Sequence, residues 1–206
     1  GIDVLITDHH LPADTLPNAN FIINPNQPDC KFPSKNLCGV GVIFYLLLSL
    51  RAYYRNQGKF SDSPEPMLLD LLELVCLGTV ADLVALDFNN RILVNAGINK
   101  MRSGMGNYGI RAIAKLSKKN ISEIKTSDLS FSIAPKLNAA GRLADMSLGI
   151  KCLISETLDE ALLYAKQLIS LNDQRRFIET GMLETALSSI NITTNINYSI
   201  TLFNSN

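Results

Sequence analysis

Apolar and polar positions fall into clear blocks along the chain. The opening run, Ile2 to Thr7, is apolar and β-branched, which predicts a buried strand. Pro12, Pro17, Pro25, Pro28 and Pro33 then punctuate a loop around one short strand at 20–23. A helix is expected over about 39–56, followed by a polar surface loop at 57–66. Residues 67–76 are nearly all apolar, which predicts a helix buried on every side. Ile92, Leu93, Ala96 and Ile98 mark a helix over 89–101. A Gly-rich loop at 103–108 precedes a short helix at 110–117, and another helix is expected over 145–154.

A long periodic segment begins at Thr157. Leu158, Ala161, Leu162, Ala165, Leu168, Ile169 and Asn172 keep helical spacing, and Ile178, Met182, Ala186 and Ile190 continue it. Thr157 and Glu160 form a capping-box pattern. The segment predicts a helix of about 30 residues, roughly 45 Å long. So long a helix rarely sits within one small core and reads as a connector between domains. A polar break at 191–197 and a strand at 198–203 follow it. The pattern as a whole gives an α/β class: a mainly parallel sheet flanked by helices, then a long connector helix.

Composition narrows the function classes. The 206 residues suffice for one sizeable core. The 19 basic and 19 acidic residues cancel, whereas a dedicated nucleic-acid module is usually basic. The one local basic cluster, Arg111, Lys115, Lys118 and Lys119, reads as a solvated face or as a track along a phosphate backbone. Cys30, Cys38, Cys76 and Cys152 form no C-x-x-C pair, which argues against a zinc site or disulfide framework and for a reducing cytoplasm. The apolar start is too short for a signal peptide and lacks a basic leader. The eleven residues from Val40 to Leu50 are too few to span a bilayer.

Three stretches carry candidate chemistry. Asp8, His9 and His10 close the first strand, and the carboxyl ends of strands in open α/β sheets are where ligands bind. These are the only histidines of the chain. Adjacent residues leaving a strand diverge, so each imidazole can serve a different metal ion; the simpler alternative is a polar turn. The second stretch is Leu77 to Leu86, whose single carboxylate, Asp82, sits among apolar residues. Burial there would demand a cation, a metal or several backbone donors. Taken alone, an Asp N-cap is the simpler reading. The third stretch is Ala134 to Leu143, which sets Lys136, Asn138, Gly141 and Arg142 among small residues. That composition suits close backbone approach with Arg and Asn as donors; the alternative is a Gly turn with Arg142 paired to a surface acid.

In this order, the strand with Asp8-His9-His10, then Leu77-Gly78-Thr79-Val80-Ala81-Asp82, then Ala134-Pro135-Lys136-Leu137-Asn138-Ala139-Ala140-Gly141-Arg142 resembles the DHH phosphoesterases. The first two motifs are shared across that family. Asn138 to Arg142 points to its branch of bacterial single-strand-specific 5′→3′ exonucleases. Leu37 to Val42, opening a helix, and Leu171 to Arg176, within the long helix, fit the same branch. Family members carry two aspartate-rich motifs before this strand and continue into a second domain. The resemblance therefore implies an internal segment: a DHH core, C-terminal portion, at 1–156; the connector helix at 157–192; and the start of a DHHA1-like second domain at 193–206.

The resemblance also implies the chemistry. His9, His10 and Asp82 would be ligands of a two-metal site holding Mn²⁺ or Mg²⁺, with Asp8 a ligand or the support of a neighbouring imidazole. Those four residues would be the catalytic set in this segment. Asn138 and Arg142, with Lys136 a weaker third, would hold the DNA backbone. The expected activity is metal-dependent hydrolysis of single-stranded DNA in repair and recombination, in the cytoplasm and away from membranes. A single-strand-binding protein is the expected second partner. The segment alone, short of ligands, is expected to be inactive. Two alternatives stay open: a DHH phosphoesterase acting on oligonucleotides, cyclic dinucleotides or pyrophosphate, and a non-catalytic replication scaffold of the same fold.

Overall fold

A computed structural model of the chain describes residues 1–189. The expected polar break at 191–197 and strand at 198–203 lie outside the described residues.

Two short strands, β1 (Leu5–Thr7) and β2 (Phe21–Ile23), pair in parallel with Leu5 opposite Phe21 and Thr7 opposite Ile23. The sheet meets α1 (Gly39–Asn56), and Ile23, Phe32, Val40 and Tyr45 each pack against one buried cluster that includes Leu37, Val42 and Phe44. A single 3-10 turn, Leu68–Leu71, leads into α2 (Leu72–Ala81), and α3 (Phe88–Arg102) packs back on it. Then come α4 (Tyr108–Leu116), the one-turn α5 (Thr126–Asp128) and a π-helical turn at Leu129–Ile133. Next are α6 (Ala134–Leu143), α7 (Ser147–Ile154) and the 32-residue α8 (Leu158–Ser189). The result is a small parallel sheet joined to a helical body, an α/β arrangement ending in a long helix.

The expected strand at 2–7 is shorter than the pattern predicts and is not buried. Ile2, Val4 and Leu5 are exposed, Leu5 by 52%. The physical reason is pairing: among the described residues β1 has a hydrogen-bonded neighbour on one side only. The run is apolar enough for a sheet interior but occupies a sheet edge.

The nearly all-apolar stretch is buried helix only from Leu72 on; residues 68–71 form a 3-10 turn in which Leu69 is exposed, as is Met67 before it. Leu72 and Val75 of α2 enter the cluster shared with α1, while Cys76, Leu77 and Val80 enter the larger cluster with α4, α6 and α8. Two glycines allow this close packing. A Cβ on Gly78 would lie 2.4 Å from Val40 Cγ1, and one on Gly97 would lie 2.3 Å from Cys76 Cβ and 2.4 Å from the Leu72 carbonyl oxygen. Helix α2 is therefore held on both flanks at backbone distance.

One charged group breaks the apolar pattern of α2. Glu73 is buried, its Oε2 accepts the Asn107 N–H, and its Oε1 has no hydrogen-bond partner. Burial pushes its carboxyl above the usual glutamate range, against the Asn107 hydrogen bond and the positive charges of Lys100 and Arg111. An acid with a raised folded pKa binds more protons folded than unfolded, so its ionisation costs stability as pH rises past its unfolded value. The Glu73→Gln variant lacks that cost. The wild type should therefore gain stability relative to Glu73→Gln as pH falls from 7 toward about 4.5. Thermal unfolding of both proteins across that range checks it; a constant difference would show that Glu73 does not titrate there.

The long helix begins as the sequence indicates. Thr157 Oγ1 accepts the Glu160 N–H at 3.2 Å, while the Glu160 carboxylate reaches the Glu156 N–H rather than that of Thr157. Ala161, Ala165, Leu168 and Asn172 are buried against the body. Beyond them, Phe177, Ile178, Met182, Leu183 and Leu187 are exposed. No helix among the described residues is long and apolar enough to cross a membrane.

Candidate metal centre

The parallel pair places two loops side by side at the carboxyl ends of its strands. The loop after β1 is Asp8-His9-His10; the loop after β2 is Asn24-Pro25-Asn26. The second holds the first. Asn26 Nδ2 donates to the His9 carbonyl at 2.6 Å, and Asn24 Nδ2 donates to the His10 carbonyl at 2.8 Å. The Asn24 side chain also accepts the Asn26 N–H at 2.8 Å, closing a tight turn. Asn24 and Asn26 were not singled out from the sequence. Their signal was there: polar residues flanking a proline directly after an apolar strand.

Asp8 organises the first loop. Its Oδ1 accepts the His9 N–H at 2.7 Å and the His10 N–H at 3.2 Å, and lies 2.8 Å from His10 Nδ1. The His10 contact, with these backbone donors, holds the Asp8 carboxyl below the usual range. When His10 donates through Nδ1, its Nε2 lone pair is left for an external ligand. The ligand atoms of Asp8, His9 and His10 all lie within 4.8 Å of one another. The two imidazoles do not diverge as expected from their adjacency. Their ring centroids are 4.3 Å apart at an interplanar angle of 42°, because both backbone amides turn in to the same Asp8 oxygen.

Asp82 joins from the far end of α2. His9 Nε2 lies 3.4 Å from Asp82 Oδ2. The carboxylate is not buried, as its apolar neighbours suggest, but 43% exposed and facing the cleft. Nor is it an N-cap: it is the C-cap residue of α2, and the N-cap carboxylate here is Asp87, which accepts the Asn90 N–H at 2.9 Å. His9, Asp82 and Asn138 line one open cleft of about 390 Å³, together with Cys38, Gly39 and Gly78. Gly39 opens α1 beside the site, where a Cβ would come within 3.6 Å of the His9 ring. Cys38 Sγ lies 3.4 Å from Thr79 Oγ1, tying the start of α1 to α2.

The third stretch is not the turn that the alternative reading of its glycine offered. Ala134 to Leu143 is a helix, with Pro135 in its first turn, where a missing N–H costs nothing. Asn138 lines the cleft. Arg142, four residues on, shares that face of α6 but is exposed and does not line the cleft. Lys136 turns away from it: its ammonium donates to the Ser132 carbonyl at 2.6 Å. Burial and the nearby Arg176 and Lys119 charges hold the Lys136 pKa below the usual lysine value.

The donor set is imidazole nitrogen plus carboxylate oxygen, without thiolate, since Cys38 is engaged with Thr79. Such a set fits a divalent first-row ion of the manganese kind.

Comparisons with known proteins bear on the sequence and the fold as a whole. Residues 1–79 match the DHH family, N-terminal domain. The single-stranded-DNA-specific exonuclease RecJ of Salmonella typhimurium is 51% identical over 189 residues, 91% of this chain and 33% of that protein. The RecJ of Haemophilus influenzae is 47% identical over 210 residues, covering 98% and 36%. Among solved structures, RecJ from Thermus thermophilus in complex with Mn²⁺ superposes with a TM-score of 0.75 at 31% identity, covering 93% of this chain and 27% of that one. A manganese-bound exonuclease RecJ superposes with a TM-score of 0.76 at 30% identity, covering 93% and 46%. The chain thus spans about one third of the length of the relatives it matches. Residues 1–79 match the N-terminal domain of the DHH family, and the chain as a whole is similar in sequence and fold to about one third of RecJ.

Proposed function

We propose that this segment belongs to the catalytic core of a metal-dependent exonuclease that degrades single-stranded DNA from its 5′ end. The observation that carries the reading is the meeting of His9 and Asp82, from distant parts of the chain, in one open cleft. A scaffold protein has no need of that convergence.

His9, His10 and Asp82 would hold the metal, with Asp8 fixing His10 and offering its second oxygen. Bound Mn²⁺ or Mg²⁺ supplies an activated water and neutralises phosphate charge. The chain's own residues do the positioning. Asp8 sets the His10 tautomer, Asn24 and Asn26 lock the loop, and α2 carries Asp82 to it. Asn138 faces the cleft as a donor to a phosphate oxygen. Arg142, one turn further along α6, is set to meet the strand as it leaves, where its planar fork matches phosphate. Lys136, engaged with Ser132, contributes charge alone. Four donors are few for two hard cations that each want about six ligands. The remaining ligands therefore belong to other parts of the full-length protein, and the segment alone is expected to be inactive.

The domain reading follows: a DHH core portion at 1–156, a connector at 157–192 and the start of a second domain at 193–206. The exposed apolar stripe of α8 beyond Asn172 supports a connector that is covered by further chain. The four cysteines are free, and burial pushes Cys76 to about 12 and Cys152 to about 11, which leaves both as inert thiols suited to a reducing cytoplasm. DNA repair and recombination is the setting such an activity serves, with a single-strand-binding protein as its natural neighbour on the substrate.

The test is hydrolysis by the full-length protein with Mn²⁺. A long 5′-phosphorylated single strand should be degraded from its 5′ end, a blunt duplex spared, and activity lost on chelation. Hydrolysis confined to di- and trinucleotides, cyclic dinucleotides or pyrophosphate would replace the proposal with a small-substrate phosphoesterase.

A further inference from the structure

Asp82 is followed by a residue in an unusual state. Leu83 has φ 57°, in the left-handed region, directly after the C-cap of α2. Glycine is the usual residue at such a position, because a Cβ there costs roughly 1–2 kcal/mol. One other non-glycine residue among those described adopts the same φ, Lys118, a polar residue after α4. Leu83 is different: it is a large aliphatic side chain, 81% exposed. It contributes no burial to offset its backbone strain. Strain of this kind persists where the surroundings hold it and clusters at functional sites.

The surroundings do hold it. The loop from Asp82 to Phe88 is pinned just past Leu83 by polar contacts. The Ala85 carbonyl accepts Asn90 Nδ2 at 2.9 Å, and the Leu86 carbonyl accepts Arg91 Nε at 2.9 Å. Asp87 accepts the Ser34 hydroxyl at 2.7 Å and Asn36 Nδ2 at 3.2 Å. At its other end the loop is continuous with α2, whose flanks are fixed by Gly78 and Gly97. Leu83 is thus presented by a braced loop, and its Cα sits one peptide, about 3.8 Å, from that of Asp82.

We propose that Leu83 is the apolar contact for the nucleobase beside the scissile phosphate. The inference rests on the exonuclease reading and deepens it. A phosphate drawn to His9 and Asp82 carries its nucleoside within about one side-chain length. The polar lining of the cleft suits the phosphate, and the base then needs an apolar surface outside it. A base presents a flat apolar face whatever its identity, so one aliphatic side chain accepts all four and gives grip without sequence preference. Leu83 is the chain neighbour of the cleft-lining Asp82, close enough for a base outside the cleft to reach while Asp82 keeps its carboxylate inside.

The experiment uses the full-length protein with Mn²⁺ and two 5′-phosphorylated strands: oligothymidylate, and the same strand with tetrahydrofuran abasic residues at its first three positions. The wild type should favour the base-bearing strand by about fivefold in kcat/KM. Leu83→Gly should lose that preference and process both strands at the abasic rate. Its melting temperature should hold or rise, because glycine accepts the left-handed backbone without strain. Preference retained by Leu83→Gly, or absent from the wild type, overturns the proposal. A fall in melting temperature also overturns it, since Leu83 would then be packed under another part of the protein. If the wild type degrades neither strand, the exonuclease reading fails first and takes this inference with it.

Discussion

Asp82→Asn should leave the full-length protein folded and slow its Mn²⁺-dependent hydrolysis of single strands by about three orders of magnitude. The size follows from what the residue does and does not do. Its carboxylate is open to solvent and takes no part in the core, so the amide replaces it without a cavity or an orphaned partner. What is lost is a negative oxygen beside His9 Nε2. An amide oxygen is a poor ligand for a hard cation, and a loosened metal forfeits several kcal/mol of stabilisation of the reacting phosphate. Titration of Mn²⁺ by electron paramagnetic resonance should show weaker binding, with the melting temperature within a degree or two of the wild type. A variant that binds Mn²⁺ and turns over as the wild type does would remove Asp82 from the centre and leave His9 without its partner.

Gly97→Ala should destabilise the fold by about 3 kcal/mol or more, lowering the melting temperature by roughly 10 °C. The added methyl would meet Cys76 Cβ at 2.3 Å and the Leu72 carbonyl oxygen at 2.4 Å. Neither atom can swing aside, because one is backbone and the other is the root of a side chain buried in the core. Helices α2 and α3 would have to separate. Gly78→Ala, which meets the tip of Val40, should cost less, since that side chain can change rotamer. Urea unfolding of the two variants side by side checks the ranking; equal small losses would mean that the α2–α3 contact yields easily.

What was legible in the sequence divides along physical lines. Periodicity placed α1, α3, α4 and the long helix to within a few residues, because each buries one face and its pattern repeats. Residues 124–143 carried no such signal. Small residues, a proline and a glycine read as a turn, yet Ala139 and Ala140 are buried without a long apolar repeat to announce them. The same limit applies to the site. His9 and His10 were legible because two imidazoles at a strand end are rare, and Asp82 because an acid amid apolar residues stands out. The role of Asp82 as a C-cap open to the cleft was not, since burial depends on what packs opposite. Nor was the separation of Asn138 from Lys136: residues two apart on a helix face different ways, and that matters only once the segment is known to be helical. Asn24 and Asn26 act through backbone carbonyls, which leave no mark on residue identity at positions 9 and 10.

The π-helical turn at Leu129–Ile133 bears on how this protein can change length over evolution. A π turn is commonly one residue inserted into an α-helix. Each residue of an α-helix advances the face by about 100°. Losing one residue from this turn would let it relax into ordinary helix with the faces after it little changed, because the wider π turn has already absorbed the extra residue. Losing one residue of α6 before Asn138 has no such outlet and would turn Asn138 out of the cleft, although no site residue had been altered. An insertion or deletion elsewhere in the 57–66 loop shifts nothing of consequence. Lineages of this protein should therefore drift freely in length at that loop and tolerate loss of one residue within the π turn, while the count of residues between Ala134 and Asn138 stays frozen.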